Sequence, residues 1–242
     1  MRKLLLISTA AVALAGAAGN DSYAETITEN FEAGGPAFSF SASIGAAAGI
    51  ASSPTYNSTK SVHLSIPSGM LAASVSVDVS SHGLTLGDLT SADYWVYLAS
   101  GKDINAPYIY FPVKTPHSTA YVVMFNPPDM GINLASSTWT DITVNPDTTP
   151  FHVANDTTGI PNPNDVTLAE LSAMSYSAGT TWGSLPINLA AIEVGQEGDA
   201  LSSEYYVDDL TIDATVPEPA SMALLGVGLL GLGFIRQRRR YA

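Results

Sequence analysis

Tyr205-Tyr206-Val207-Asp208-Asp209-Leu210-Thr211-Ile212-Asp213 is rich in β-branched and aromatic residues and carries no helical period. Successive side chains of an extended strand point to opposite faces. Strict alternation therefore puts Tyr206, Asp208, Leu210 and Ile212 on one face, and Tyr205, Val207, Asp209, Thr211 and Asp213 on the other. One carboxylate, Asp208, then shares the apolar side with Leu210 and Ile212. A buried carboxylate needs partners, because losing its hydration unpaired is costly. A metal ion, a hydrogen-bond network or a strand-end position would each supply them.

Working outward, the same period-two pattern recurs upstream. It predicts strands at residues 37–43, 61–66, 74–79, 94–99, 108–113, 120–125, 138–144 and 188–194, with 205–213 as the last. Turn signals separate them, among them Pro67-Ser68-Gly69, Asn126-Pro127-Pro128-Asp129 and Pro161-Asn162-Pro163-Asn164. Nine short strands so spaced predict an all-β fold, an antiparallel jelly-roll-like β-sandwich, since a parallel sheet would need crossover helices. One short helix is predicted over 166–174, capped by Asp165, with Leu168, Leu171 and Met174 as its apolar stripe. The Ala/Gly/Ser-rich stretch 44–53 is predicted as a mobile loop, with a flat strand as the alternative.

The two ends read differently. Residues 1–24 have a basic start (Arg2, Lys3), an apolar stretch and the small-residue site Ser22-Tyr23-Ala24, which predicts a Sec signal peptide cut before Glu25 by signal peptidase. Residues 216–242 run from Pro217-Glu218-Pro219 through sixteen uncharged residues to the cluster Arg236, Arg238, Arg239, Arg240. As a helix the apolar run spans roughly 24 Å, somewhat short of a hydrocarbon core of ~30 Å. Thinning of the bilayer and arginine snorkelling would cover the difference. The arginines would hold that end in the cytoplasm and place the upstream chain outside. The expected layout is a signal peptide at 1–24, an exported β-sandwich at 25–215 and a transmembrane tail at 216–242.

Between the ends, Lys60, Lys102 and Lys114 face twenty carboxylates, a net charge of about −17. Such a surface repels nucleic acid and anionic lipid. Cysteine is absent, so apolar packing must hold the fold without disulfides. Nothing points to catalysis: His63, His82, His117 and His152 lack metal-ligand spacing, and Asp156-Thr157-Thr158-Gly159 breaks the aspartic-protease triplet. A carboxylate pair acting on a glycoside is the remaining enzymatic alternative, a polysaccharide-active hydrolase. Aromatics offer a binding surface instead. Tyr94, Trp95, Tyr97, Tyr108, Tyr110 and Tyr121 fall on three consecutive predicted strands, and Trp95, Tyr108 and Tyr110 are the candidates for stacking against sugar rings.

Two resemblances add expectations. The order Pro217-Glu218-Pro219, apolar helix, arginine cluster resembles the PEP-CTERM sorting signal, whose bearers are recognised by an exosortase and accompany exopolysaccharide and biofilm formation. That resemblance implies Sec export, transient anchoring in the inner membrane and release to the cell surface or extracellular matrix. Asn30-Phe31-Glu32 together with Tyr205-Tyr206-Val207-Asp208-Asp209 resembles the first and last strands of jelly-roll carbohydrate-binding modules. In those modules the two strands lie side by side and hold a structural calcium, which implies Glu32 and Asp208, with Asp209, as ligands here. Trp139-Thr140 is similar to their interior tryptophan strand. The combined expectation is a non-enzymatic surface or matrix protein, with a calcium-stabilised glycan-binding module as the alternative.

Overall fold

The computed structural model describes residues 22–32, 38–67, 72–101, 106–115, 119–154, 163–195 and 202–217. Most of the expected signal peptide and all of the tail beyond Pro217 lie outside them, including Glu218, Pro219 and Arg236, Arg238, Arg239 and Arg240. Among the described residues no helix is long and apolar enough to cross a membrane. Thr26–Ala214 form one compact unit.

Fifteen strands are present among the described residues: β1 (Ser22–Glu29), β2 (Phe38–Ala42), β3 (Ala47–Ala51), β4 (Ser61–Ile66), β5 (Ala72–Asp78), β6 (Leu89–Ser100), β7 (Tyr108–Lys114), β8 (Thr119–Met124), β9 (Trp139–Val144), β10 (Pro150–Ala154), β11 (Val166–Thr167), β12 (Ser175–Ser177), β13 (Thr180–Thr181), β14 (Leu189–Gly195) and β15 (Ser203–Pro217). A six-stranded sheet runs β3-β4-β15-β6-β9, with β1 also paired to β15. A seven-stranded sheet runs β11-β10-β8-β7-β14-β5-β2. Every recorded strand pair between named strands in these two sheets is antiparallel. The expected β-sandwich is therefore observed, and first and last strands are neighbours.

Alternation builds the core. From one sheet, Val62, Leu64, Tyr94, Val96, Ile142 and Val144 turn inward; from the other come Val75, Ile109, Phe111, Val122, Phe151 and Ile192. Each is at most 1 % exposed, and most of their alternate neighbours are more exposed, although Tyr108 and Ala191 are buried too. Burying one such side chain contributes about 1.5–3 kcal/mol, which is how a chain without disulfides holds together.

Three local expectations are corrected. Residues 47–51 form an edge strand, β3, so the alternative of a strand holds there and the mobile loop does not: backbone pairing to β4 needs no particular side chains, so a small-residue stretch can supply it. The helix α1 is Leu168–Ala173, shorter than predicted, and its cap is Thr167. The Thr167 hydroxyl accepts from Glu170 N–H, and Glu170 Oε2 accepts from Thr167 N–H at 2.9 Å, a reciprocal pair, while Asp165 lies two residues upstream of the cap position. Trp139 is not interior. It is partly exposed beside Asp141 and Thr143, while Ile142 and Val144 take the inward positions. The fully buried tryptophan is Trp182, near α1.

Candidate functional site

The last strand contains the feature that rearranges the predicted faces. In its pairing with β6, Asp208 lies opposite Trp95 and Thr211 opposite Asp93, so two residues of β15 oppose Tyr94 alone. Asp209 absorbs the extra residue with φ 48°, a left-handed conformation that aspartate tolerates. This bulge flips the alternation. Tyr205 and Val207 point inward before it, Leu210 and Ile212 after it, and all four are at most 1 % exposed. Asp208 thus stands on the outer face with Tyr206, not on the apolar side as strict alternation requires.

Asp208 is nevertheless 0 % exposed, because the segment leading into β4 folds over it. Its Oδ2 accepts from Tyr56 N–H at 2.9 Å and from the Ser58 hydroxyl at 2.7 Å, and its Oδ1 accepts from Asp209 N–H at 2.9 Å. Burial pushes its carboxyl above the usual range, with these bonds acting in the opposite sense. Glu32 reaches the same segment: it accepts from Thr59 N–H and, at 2.6 Å, from the Thr59 hydroxyl. Those bonds hold its carboxyl below the usual range. Glu32 and Asp208, expected as calcium ligands, are thereby brought to adjoining residues of one segment. Asp209 sits in the bulge. Among the described residues no group of three or more His, Cys, Asp or Glu side chains gathers as a metal site. Calcium takes six to eight oxygens, so an ion here would draw most of them from carbonyls and water.

The three aromatic candidates are separated. Trp95 belongs to β6 of the six-stranded sheet, Tyr108 and Tyr110 to β7 of the seven-stranded sheet. Consecutive strands in sequence lie in different sheets because the chain crosses the sandwich between Ser100 and Tyr108. Tyr56 already covers Trp95, with the rings stacked at 3.8 Å and 16°.

On the outer face of the seven-stranded sheet, Tyr108 is paired across the strands with Glu193, and its hydroxyl donates to Glu193 Oε1 at 2.8 Å. Burial raises the Glu193 carboxyl above its ordinary range. Tyr110 lies opposite the small Ala191 and close to the hydroxyls of Ser74 and Ser76. Burial first, then the Glu193 charge, push its phenol up to about 12. Tyr110 meets the exposed Tyr121 edge-on at 5.9 Å. Tyr108, a predicted stacking residue, is itself buried at 7 % exposure, so the partly open surface is the Tyr110–Tyr121 ring pair with the half-buried Glu193 nearby. Clustered groups of this kind are candidates for a binding site.

Sequence reading missed Glu193, Tyr56, Trp139, Tyr206 and His63 as surface partners. For Trp95 and Tyr97 the i, i+2 spacing does show a shared face. The rest depends on strand register, which no local signal encodes.

The described fold and surfaces define a two-sheet antiparallel β-sandwich with aromatic residues on both outer faces. Residues 215–240 match the family model of the PEP-CTERM protein-sorting motif, which ties the chain to the exosortase route and to an exported fate. No curated protein matches the chain. Similar solved structures include the family 11 carbohydrate-binding module of the cellulosomal cellulase Lic26A-Cel5E of Clostridium thermocellum, 11 % identical with a TM-score of 0.47, over 78 % of this chain and 94 % of that one. Another is the CBM22-1 xylan-binding domain of Paenibacillus barcinonensis Xyn10C, 11 % identical with a TM-score of 0.45, over 82 % and 99 %. The family 11 module of Clostridium thermocellum in complex with a beta-1,3-1,4-mixed-linked tetrasaccharide is 12 % identical with a TM-score of 0.45, over 81 % and 98 %. This likeness concerns the fold alone.

Proposed function

We propose that the chain is an exported, non-enzymatic surface or matrix protein whose sandwich binds a neutral glycan of the surrounding exopolysaccharide. The outer face of the seven-stranded sheet is the site. The observation that carries this reading is the Tyr108–Glu193 hydrogen bond beside the Tyr110–Tyr121 ring pair. Rings stack on the apolar C–H faces of sugars, and fixed hydroxyls and a carboxylate bond their hydroxyls. The tail supplies the address and the sandwich the cargo's activity. Export through the Sec translocon and release from the inner membrane by the exosortase complete the route.

Neutral-glycan array binding by the full chain tests the site. Retention by at least one neutral glycan, lost in Tyr110→Ala/Tyr121→Ala, supports it; binding unchanged by that pair overturns it. Release of new reducing ends during the same incubation would instead favour the hydrolase. The route is read from the intact mass of the native protein in each cell fraction. A product lacking both residues 1–24 and the segment beyond Pro217-Glu218-Pro219 is expected.

A structural calcium is a separate part of the proposal. Glu32 and Asp208 would hold it together with carbonyls of residues 56–59. Its support is that both carboxylates, from opposite ends of the domain sequence, converge on that segment.

A further inference from the structure

The outer face of the six-stranded sheet carries a row of rings that the proposed glycan site does not use. His63, Tyr206, Tyr97 and Trp139 occupy four adjacent strands, β4, β15, β6 and β9, and stand directly opposite one another in register. Their ring centroids are separated by 4.9, 6.2 and 5.4 Å in that order. Three strand spacings give the row a length of about 14 Å, which several linked sugar rings would cover. All four side chains are partly exposed, and none belongs to the core between the sheets. At one end Tyr56 tilts against Trp139 at 5.9 Å and closes the row. A contiguous exposed aromatic row on an otherwise polar face is a surface built to be covered.

Charge restricts what covers it. None of the six strands contains Lys or Arg. The row is flanked by Glu204 on one side, 2.9 Å from His63 Nε2, and by Asp141 on the other, with Asp93 one same-face position further along β6, beyond Trp95. Asp141 lies opposite Trp95 and diagonal to Asp93. Burial and then the Asp93 charge raise the Asp141 carboxyl above its usual range, and among the described residues no ion pair to either carboxylate is seen. An anionic polymer would be repelled here. A polymer presenting both apolar ring faces and ammonium groups at sugar spacing complements both the rings and the carboxylates.

We propose that this face is a second glycan-binding surface, specific for a polysaccharide with unsubstituted, cationic amino sugars, with Trp139 and Tyr97 as the stacking residues and Asp141 and Asp93 as the ammonium partners. It lies on the opposite sheet from the neutral-glycan site and does not depend on it. A domain with both would join two chemically different strands of matrix.

The test is binding of the full chain, purified in detergent, to a glucosamine hexamer, with the N-acetylglucosamine hexamer, cellohexaose and an alginate oligomer as comparisons. The glucosamine hexamer is expected to bind about tenfold more tightly than either neutral hexamer, with no alginate binding. Trp139→Ala/Tyr97→Ala should weaken glucosamine binding about tenfold or more. Asp141→Asn/Asp93→Asn should reduce it to the level of the N-acetylated hexamer, and Tyr110→Ala/Tyr121→Ala should leave it unchanged. The Asn variants keep the rings and the strand surface, so they report even if the aromatic variant melts early. Absence of glucosamine binding overturns the proposal, as does binding indifferent to Trp139 and Tyr97, which would mark general attraction to an acidic protein. Equal binding of neutral and amino hexamers by the Tyr110→Ala/Tyr121→Ala variant, whose neutral-glycan face is removed, overturns the ligand class. Loss only in Tyr110→Ala/Tyr121→Ala would return the whole activity to the other face.

Discussion

Asp208→Ala should both destabilise the sandwich and uncover Trp95. The carboxylate accepts from Tyr56 N–H, the Ser58 hydroxyl and Asp209 N–H, and the residue is 0 % exposed. Leaving a buried donor unpaired costs about 1–3 kcal/mol, so three donors set an upper range of about 3–9 kcal/mol. Part of this is offset. Burial raises the Asp208 carboxyl, so its ionised form is itself disfavoured there, and alanine removes that cost. Ser58 and the backbone groups can also turn to water once the segment loosens. A net loss of about 3 kcal/mol is expected, or roughly 6–12 °C in Tm for a domain of this size.

The assays are thermal unfolding followed by circular dichroism and tryptophan emission of the folded state. Tyr56 loses the anchor that keeps it stacked on Trp95, so emission should shift to the red. The pH dependence supplies a further check. A carboxyl whose folded pKa is raised contributes stability that is full below its unfolded value of ~3.9 and is lost as pH rises through the folded value. Asp208→Asn should remove that slope. A melt within ~2 °C of the native protein, with unshifted emission, would refute the clamp reasoning.

Three further outcomes follow from the same geometry. Chelator should lower the melting temperature of the native chain and leave that of Glu32→Ala unchanged; a native melt indifferent to chelator removes the calcium. Glu193→Gln should flatten stability against pH above ~4.3, because the raised Glu193 carboxyl makes the native protein lose stability as pH rises through its folded value; urea midpoints at a series of pH values measure it. Gly183→Ala should cost about 1–3 kcal/mol in a urea titration, since a Cβ there would meet the Ser172 carbonyl oxygen at 2.8 Å.

Much of the architecture was legible in residue order. Residues 61–66 are a strand with the predicted bounds, and the other eight predicted strands each overlap an observed one. Period-two burial is a local property, and it survives into the fold because both sheets bury one face. β10 (Pro150–Ala154) went unseen because Pro-Phe-His-Val-Ala is short and mixed, and β1 because its start overlaps the expected leader.

The site was less legible. Trp95 and Tyr110 are fifteen positions apart and look like one platform, yet the chain crosses between sheets from one to the other. The single extra residue at Asp209 reversed the faces of the last strand. A bulge depends on the partner strand's register, and nothing in Val207-Asp208-Asp209-Leu210 alone announces it.

By itself, then, the sequence determined the all-β class, the acidic cysteine-free surface and the sorting motif, because composition, alternation and a contiguous signal are written residue by residue. Only the tertiary structure decided which aromatic residues share a face, that Asp208 is buried under the 56–59 segment, and that His63, Tyr206, Tyr97 and Trp139 form one row. Those facts come from strand pairing between distant segments, and register is fixed by the packing of the whole sandwich.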